Sequence, residues 1–259
     1  MEAAIEPMNT RQKAIVESLE KDNRVNVRTL ANDLGVSTMT IRRDLKLLHD
    51  QGLLVRTHGG GVSAGKLHFL QRAFPYHPSN PAKMAIGKLA AGLVAPGQTV
   101  MIDGGTTPLA VVRNLPKDAN NTVVTTSLCA VQELYRSSVQ VLVLGGNVRM
   151  EFPSLYGPLT EDNLKRIHVE ILFMGCDGAD SKKGFYMADF RLCNLQQQMI
   201  KCADRVVLVT ESTKFGRKSL MHYATLEQIN TLVTDIHMSP DDRQRLEESG
   251  VNVLFAEVG

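Results

Sequence analysis

The chain lacks tryptophan and is poor in aromatic residues of any kind, which make up 5% of its 259 positions. Its 43% hydrophobic and 22% charged content nevertheless suits a folded globular protein, so disorder is excluded as the default. No apolar run reaches the length needed to cross a bilayer, and the first residues carry no basic-then-apolar leader. The expected compartment is the cytoplasm, with no membrane partner. Cysteine is scarce as well: Cys129, Cys176, Cys193 and Cys202 include no Cys-x-x-Cys pair and no nearby paired His. That spacing argues against zinc and for free thiols in a reducing compartment, with no metal or cofactor expected. Cys176 alone stands out, beside Asp177 in an expected loop. The net charge is only +2, so affinity for a polyanion has to come from local clustering rather than from a global field.

Such a cluster lies in Val36–His58, VSTMTIRRDLKLLHDQGLLVRTH. Ile41, Leu45 and Leu48 recur at i, i+4 and i+7, which places them on one face of a helix. Ser37 is positioned to cap that helix, and Gly52 to end it. Met39, Arg43 and Lys46 fall on the opposite face, with Arg42 on its flank. A shorter helical stretch, Val27–Leu34, precedes it, closed by Gly35. Two short helices joined by a Gly-containing turn make a helix-turn-helix, whose second helix enters the DNA major groove. Leu53–Arg56 then reads as a strand, and Gly59-Gly60-Gly61 as the turn of a wing. Between Arg24 and Lys66 there are seven basic residues against three acidic, a surplus that favours phosphate contact. The competing reading is a helical bundle with an incidental basic face.

Val36-Ser37, then Thr40-Ile41-Arg42-Arg43-Asp44-Leu45, then Gly52-Leu53, Arg56 and His58-Gly59-Gly60 resembles the N-terminal signature of the DeoR family of bacterial transcriptional regulators. Gly61 departs from the family's usual Ala, a change expected only to loosen the wing. Residues and resemblance together nominate Ser37, Thr38, Met39, Thr40, Arg42, Arg43, Lys46, Arg56 and His58 as DNA-binding.

The expected organisation is a winged helix-turn-helix over 1–62, a linker over 63–81 and an α/β domain over 82–259. Asn9 and Gln12 resemble a helix-start box for a first helix bearing Ile15 and Leu19. The stretch from Ser63 to Pro81 lacks periodicity and is interrupted by Gly65, Pro75 and Pro78. From Lys83 a helix leads into β-rich runs: Thr99–Asp103, Thr122–Thr126, Val139–Leu144, Val169–Gly175, Val206–Thr210, Leu232–Thr234 and Val251–Ala256. Helical stretches lie between them. Continuous apolar strands alternating with helices predict a mostly parallel sheet covered on both faces. Ligand sites in such sheets gather in loops beyond the strands' carboxyl ends.

Those loops supply the remaining candidates. Asp103-Gly104-Gly105-Thr106-Thr107 follows the first strand, with glycines for close approach and hydroxyls at a helix start, a pattern that can hold a phosphate. Thr125-Thr126-Ser127 follows the second. Gly145-Gly146 with Arg149 follows the third. Asp177, and beyond it Asp189, follow the fourth, and Lys214 follows the fifth. Singly, each has a plainer role as a turn or a solvated charge; together they suit a phosphorylated polyol.

The resemblance continues through this half. The family's effector domain carries Asp-x-Gly-Thr-Thr, Thr-Asn-Ser, Leu-Gly-Gly-x-x-Arg and Ser-Lys-Phe stretches. They are matched here by Asp103, Gly105, Thr106, Thr107; Thr125, Ser127; Leu144, Gly145, Gly146, Arg149; and Lys214, Phe215. Thr126 and Thr213 depart from the usual Asn and Ser. The resemblance implies a repressor of carbohydrate-metabolism genes that binds operator DNA, answers to a phosphorylated sugar and assembles as a homo-oligomer, dimer or tetramer. It also implies a sensor fold similar to ribose-5-phosphate isomerase. An isomerase-like enzyme with an appended DNA-binding module is therefore the rival, since Asp177-Gly178-Ala179-Asp180 resembles a stretch of that enzyme. The enzyme's catalytic Glu has no counterpart after Lys183-Gly184, where Asp189 is the nearest substitute, so no catalysis is expected.

Overall fold

The computed structural model describes residues 8–22, 24–50, 53–57, 59–63, 80–135, 137–149 and 152–258. The chain divides into two units, Met1–Pro75 and Tyr76–Gly259. Most of the expected linker, together with Gly52 and His58, lies outside the described residues.

In the first unit, α1 (Thr10–Asp22) is followed by β1 (Arg24–Asn26), α2 (Val27–Asp33), α3 (Thr38–Asp50), β2 (Leu54–Thr57) and β3 (Gly60–Ser63). The start of α1 is a reciprocal box: Gln12 N–H donates to Asn9 Oδ1 at 2.9 Å, and Asn9 N–H to Gln12 Oε1 at 3.1 Å. Ile15, Val16 and Leu19 of α1 close against Leu30 and Ala31 of α2 and Ile41, Leu45 and Leu48 of α3, all buried. The apolar stripe of the sequence is thus the core face.

The three strands form an antiparallel sheet in the order β1-β3-β2. Only Gly59 serves the wing's turn; Gly60 and Gly61, expected there too, belong to β3. Gly60 is required because a Cβ would sit 1.8 Å from the Val25 carbonyl oxygen. At Gly61 a Cβ would come 3.0 Å from Leu54 Cδ1, the end of a movable side chain, so the missing methyl costs the wing little packing.

The second unit is built on seven strands: β4 (Thr99–Ile102), β5 (Thr122–Thr125), β6 (Gln140–Val143), β9 (Val169–Met174), β12 (Ala203–Val209), β14 (Thr231–Asp235) and β15 (Asn252–Ala256). They correspond one for one to the seven apolar runs. Their order is β15-β14-β12-β9-β4-β5-β6, and every pairing is parallel. Alternate residues serve opposite faces. Val100, Ile102, Ile171 and Phe173 pack beneath α4 (Pro81–Ala91), α5 (Thr106–Asn114) and α6 (Leu128–Leu134). Met101, Leu172 and Met174 pack beneath α7 (Pro158–Leu164), α8 (Phe190–Lys201) and α9 (Pro240–Glu248). This double coverage is why the strands are apolar throughout. Helices α4 and α5 approach closely because Gly87 has no side chain: a Cβ there would lie 2.5 Å from the Ala110 carbonyl carbon.

Two smaller sheets were not expected from the sequence. One is a hairpin of β7 (Asn147–Arg149) and β8 (Ser154–Tyr156). The other joins β10 (Gly178–Asp180), β11 (Gly184–Met187) and β13 (Met221–Ala224). The second converts part of the anticipated Asp177–Asp180 loop into strand.

Candidate functional site

In the first unit the surface of interest is α3. Thr40 N–H donates to Ser37 Oγ at 3.1 Å, which caps the helix, and the Ser37 and Thr40 hydroxyls lie 2.9 Å apart. Thr38, Met39, Arg42, Arg43 and Lys46 are exposed on the side away from the core, and Arg56 is exposed on β2. Asp44, counted in the sequence as offsetting this charge, is turned inward and buried. Its carboxylate accepts Arg11 Nε at 2.5 Å and Gln12 Nε2 at 3.3 Å, tying α3 to α1. The exposed stripe is therefore more uniformly cationic than the count of charges implies. A groove of about 730 Å³ beside the wing, lined by Asp22, Arg24 and Asp33 among others, includes no residue of α3 and carries two carboxylates against one cation, which does not favour phosphate.

In the second unit, strand order decides where to look. After β4 the chain steps outward through β5 and β6, then returns to the other side of β4 as β9 and continues through β12, β14 and β15. The direction reverses at β4 and β9, and the crevice beyond their carboxyl ends is the ligand position that this topology favours. A cleft of about 170 Å³ lies there. Its walls are Gly104–Pro108 beyond β4, Gly175–Asp177 beyond β9, Glu211 and Lys214 beyond β12, Arg149 and Phe152 from the β7–β8 hairpin, Met187 from β11, and Lys83 from α4.

The loop beyond β4 is shaped from below. Asp103 is buried and does not line the cleft, contrary to its nomination as a ligand contact. It accepts Gly104 N–H at 2.7 Å and Gln196 Nε2 at 3.0 Å. Desolvation pushes its carboxyl up to about 6, opposed by those two bonds and by the charge of Arg149. The Gly104 amide is thus already used. Helix α5 begins at Thr106 with Gly105 as N-cap and no side-chain cap, while Pro108 brings no N–H to the first turn. The Thr106 and Thr107 amides and hydroxyls are the donors this loop offers. Gly104 must lack a side chain because a Cβ would come 2.9 Å from Ser154 Cβ.

The remaining nominated residues divide. Arg149, Asp177 and Lys214 line the cleft. Thr125, Thr126 and Ser127 do not: all three are buried. Thr125 Oγ1 donates to the Ile102 carbonyl at 2.8 Å and accepts Ser127 N–H at 2.9 Å, and Ser127 Oγ caps α6 through Ala130 N–H at 3.2 Å. Gly145 and Gly146 also lie off the cleft, forming the turn from β6 into β7 with φ of 71° and 124°. A Cβ at Gly146 would meet Thr160 Oγ1 at 2.1 Å, so glycine here is a packing requirement. Asp189 is the N-cap of α8 and no part of the cleft wall. It accepts Arg191 Nε at 2.8 Å and Nη2 at 2.7 Å, and lies 3.3 Å from Arg149 Nε. The Arg191 hydrogen bonds hold its carboxyl below the usual range. Asp189 thus ties the Arg149 side chain to the start of α8.

Sequence reading missed Lys83, Glu211, Phe152 and Met187. Glu211 follows β12 within two residues, so the strand-end rule had the signal for it; Lys83 reaches the cleft only through tertiary packing. Asp177 Oδ2 accepts Ala188 N–H at 2.8 Å. The half-buried Cys176 points its sulfur at Thr210 Oγ1, 3.3 Å away, and enclosure of the thiol pushes it up to about 12, away from the thiolate form. Among the described residues no cluster of His, Cys, Asp and Glu could hold a metal ion, and no helix is long and apolar enough to cross a membrane.

A helix-turn-helix in one unit and a doubly covered α/β sheet in the other agree with what comparison finds. Residues 11–66 match the DeoR-like helix-turn-helix domain, and residues 79–236 match the DeoR C terminal sensor domain. The HTH-type transcriptional regulator GlpR of Haloferax volcanii is 34% identical over 94% of this chain and 96% of its own. The L-fucose operon activator of Haemophilus influenzae is 32% identical over 92% of this chain and 96% of its own. Among solved structures, ribose 5 phosphate isomerase A of Neisseria gonorrhoeae aligns with 51% of this chain and 52% of its own at 14% identity and a TM-score of 0.38, too slight a likeness to carry any argument. The DeoR-like helix-turn-helix domain of this chain, and relatives named as transcriptional regulators that match over nearly its whole length, decide against the isomerase alternative. The chain belongs to the DeoR family and is a transcriptional regulator, not an enzyme.

Proposed function

We propose that this regulator controls carbohydrate-metabolism genes from the cytoplasm, as a homo-oligomer whose grip on operator DNA depends on a phosphorylated sugar. The observation that carries the effector reading is the uncapped start of α5 inside a cleft that also holds Lys83, Arg149 and Lys214. A helix N-terminus with free amides and nearby cations favours a phosphate group. The phosphate sits at Thr106 and Thr107 with Lys214 as a charged partner, and Asp177 accepts from sugar hydroxyls. On DNA, Ser37, Thr38, Met39, Arg42, Arg43 and Lys46 face the major groove and Arg56 of the wing meets the backbone. One such helix reads a short half-site, and symmetric pairing of subunits supplies two.

A thermal-shift screen of sugar phosphates beside their unphosphorylated sugars tests the effector. Selective binding to the folded state at about 100 times Kd stabilises by about 2.7 kcal/mol. Only phosphorylated compounds should raise the transition; equal shifts from neutral sugars would refute the phosphate site. For the DNA half, an Arg42→Ala, Arg43→Ala double variant should lose operator affinity in a gel-shift titration. Wild-type affinity would remove α3 from the interface. Light scattering on the full chain reads the oligomer, and a monomer that still protects a complete operator would refute the pairing.

A further inference from the structure

Among the charged cleft residues not yet assigned a ligand contact, Lys83 and Glu211 are paired with each other. The Glu211 carboxylate is largely enclosed just past β12, and both its oxygens are held by the start of α4. Lys83 Nζ lies 3.3 Å from Oε2, and Asn80 Nδ2 donates to Oε1. Asn80 is also the N-cap of α4, its Oδ1 accepting Ala82 N–H at 2.9 Å. Lys214 belongs to the same turn as Glu211, its N–H donating to the Glu211 carbonyl at 3.0 Å. One carboxylate therefore connects the cleft wall to the first turn of α4. That turn opens at Asn80.

An anion entering this cleft meets Glu211 as a like charge and Lys83 and Lys214 as opposite charges. In a partly enclosed site these interactions are screened far less than in water. Resting on the reading of the cleft as a phosphate site, we propose that Lys83 and Glu211 form an exchangeable ion pair: the effector's anionic group replaces Glu211 as the partner of Lys83, and the displaced carboxylate loosens its hold on the first turn of α4. Lys83 is then a ligand-binding residue. Glu211 is the internal competitor that a charged ligand displaces and a neutral polyol does not. Occupancy is registered at Asn80–Lys83, the first turn of α4.

The test uses the full chain with inorganic phosphate as probe, titrated by calorimetry at fixed ionic strength. Lys83→Gln should weaken phosphate about tenfold, the scale of one charge-assisted hydrogen bond, and Lys83→Arg should restore most of it. Glu211→Gln should tighten phosphate severalfold. The Lys83→Gln, Glu211→Gln double variant should bind about tenfold more weakly than Glu211→Gln alone, because Lys83 acts on the ligand itself. Amide exchange over residues 82–84 should quicken when wild type is saturated with phosphate, and be fast and indifferent to phosphate in Glu211→Gln. A double variant equal to Glu211→Gln would mean that Lys83 only neutralises Glu211, and would overturn the proposal. Wild-type affinity in Lys83→Gln, with Thr106→Ala weakened, would overturn it while leaving the phosphate site standing. Absence of any change in both variants would remove site and proposal together.

Discussion

The loops beyond β4 and β5 look alike in sequence, Gly104-Gly105-Thr106-Thr107 and Thr125-Thr126-Ser127, each hydroxyl-rich and each leading into a helix. Their fates differ. The second is closed on itself: Ser127 caps α6, and Thr125 bridges the Ile102 carbonyl and the Ser127 amide. The first leaves α5 without a side-chain cap and sits at the reversal of strand order. Hydroxyls at a strand end are therefore not a site in themselves. They become available to a ligand where no side chain of the protein satisfies the helix start and where diverging chain paths open a crevice.

The comparison can be broken or sharpened by four measurements. The largest effect concerns the support beneath each loop, a buried carboxyl for the first and a neutral hydroxyl for the second. With its carboxyl at about 6 in the fold and near 3.9 in the unfolded chain, Asp103 binds more protons folded than unfolded between those values. Its contribution is thus fully present below about pH 4 and is lost as pH rises through about 6, a fall of up to about 3 kcal/mol. Asp103→Asn should flatten that segment of a pH-resolved urea series; an unchanged slope would move the titration elsewhere.

Next, Thr125→Val removes both hydrogen bonds of the buried Thr125 hydroxyl and should cost about 1–3 kcal/mol of unfolding free energy. Phosphate affinity of the folded variant should stay at the wild-type value. The reciprocal change, Thr106→Ala, should leave stability within about 0.5 kcal/mol. Its affinity for a phosphorylated sugar should drop about tenfold, or about 1.4 kcal/mol. If the neutral sugar weakened as much, the Thr106 hydroxyl would not be a phosphate contact. The smallest effect belongs to Ser127→Ala, which should cost about 1 kcal/mol as the loss of a helix cap. Denaturation midpoints with and without ligand should move in parallel for that variant.

Much of the fold was legible because both faces of the large sheet are buried. Ile171, Leu172, Phe173 and Met174 must all be apolar when alternate residues feed two cores, and such runs are visible without tertiary information. Strands β1, β10 and β13 were illegible for the opposite reason. Arg24-Val25-Asn26 and Gly178-Ala179-Asp180 are three-residue, largely polar or glycine-bearing segments whose pairing is set by distant partners. The cleft divides along the same line. Thr106, Thr107 and Lys214 lie in loops that follow strands directly, so a strand-end rule reaches them. Lys83 arrives from a helix and Phe152 from an unforeseen hairpin, and no local pattern announces either. Likewise, a carboxylate beside a loop shows nothing of the two arginines that Asp189 holds.

The reversal at β4 also sets an order of assembly. Val100 pairs with Val123 on one side but with Ile171 on the other, so one wall of the cleft closes over a much longer loop than its neighbour. Long closures carry the greater entropic cost and form late. During synthesis, which releases the amino terminus first, helix α3 is complete within the first 50 residues, whereas the cleft waits for β9 and then β12. A newly made chain therefore completes its helix-turn-helix while the crevice of its sensor domain is still unformed.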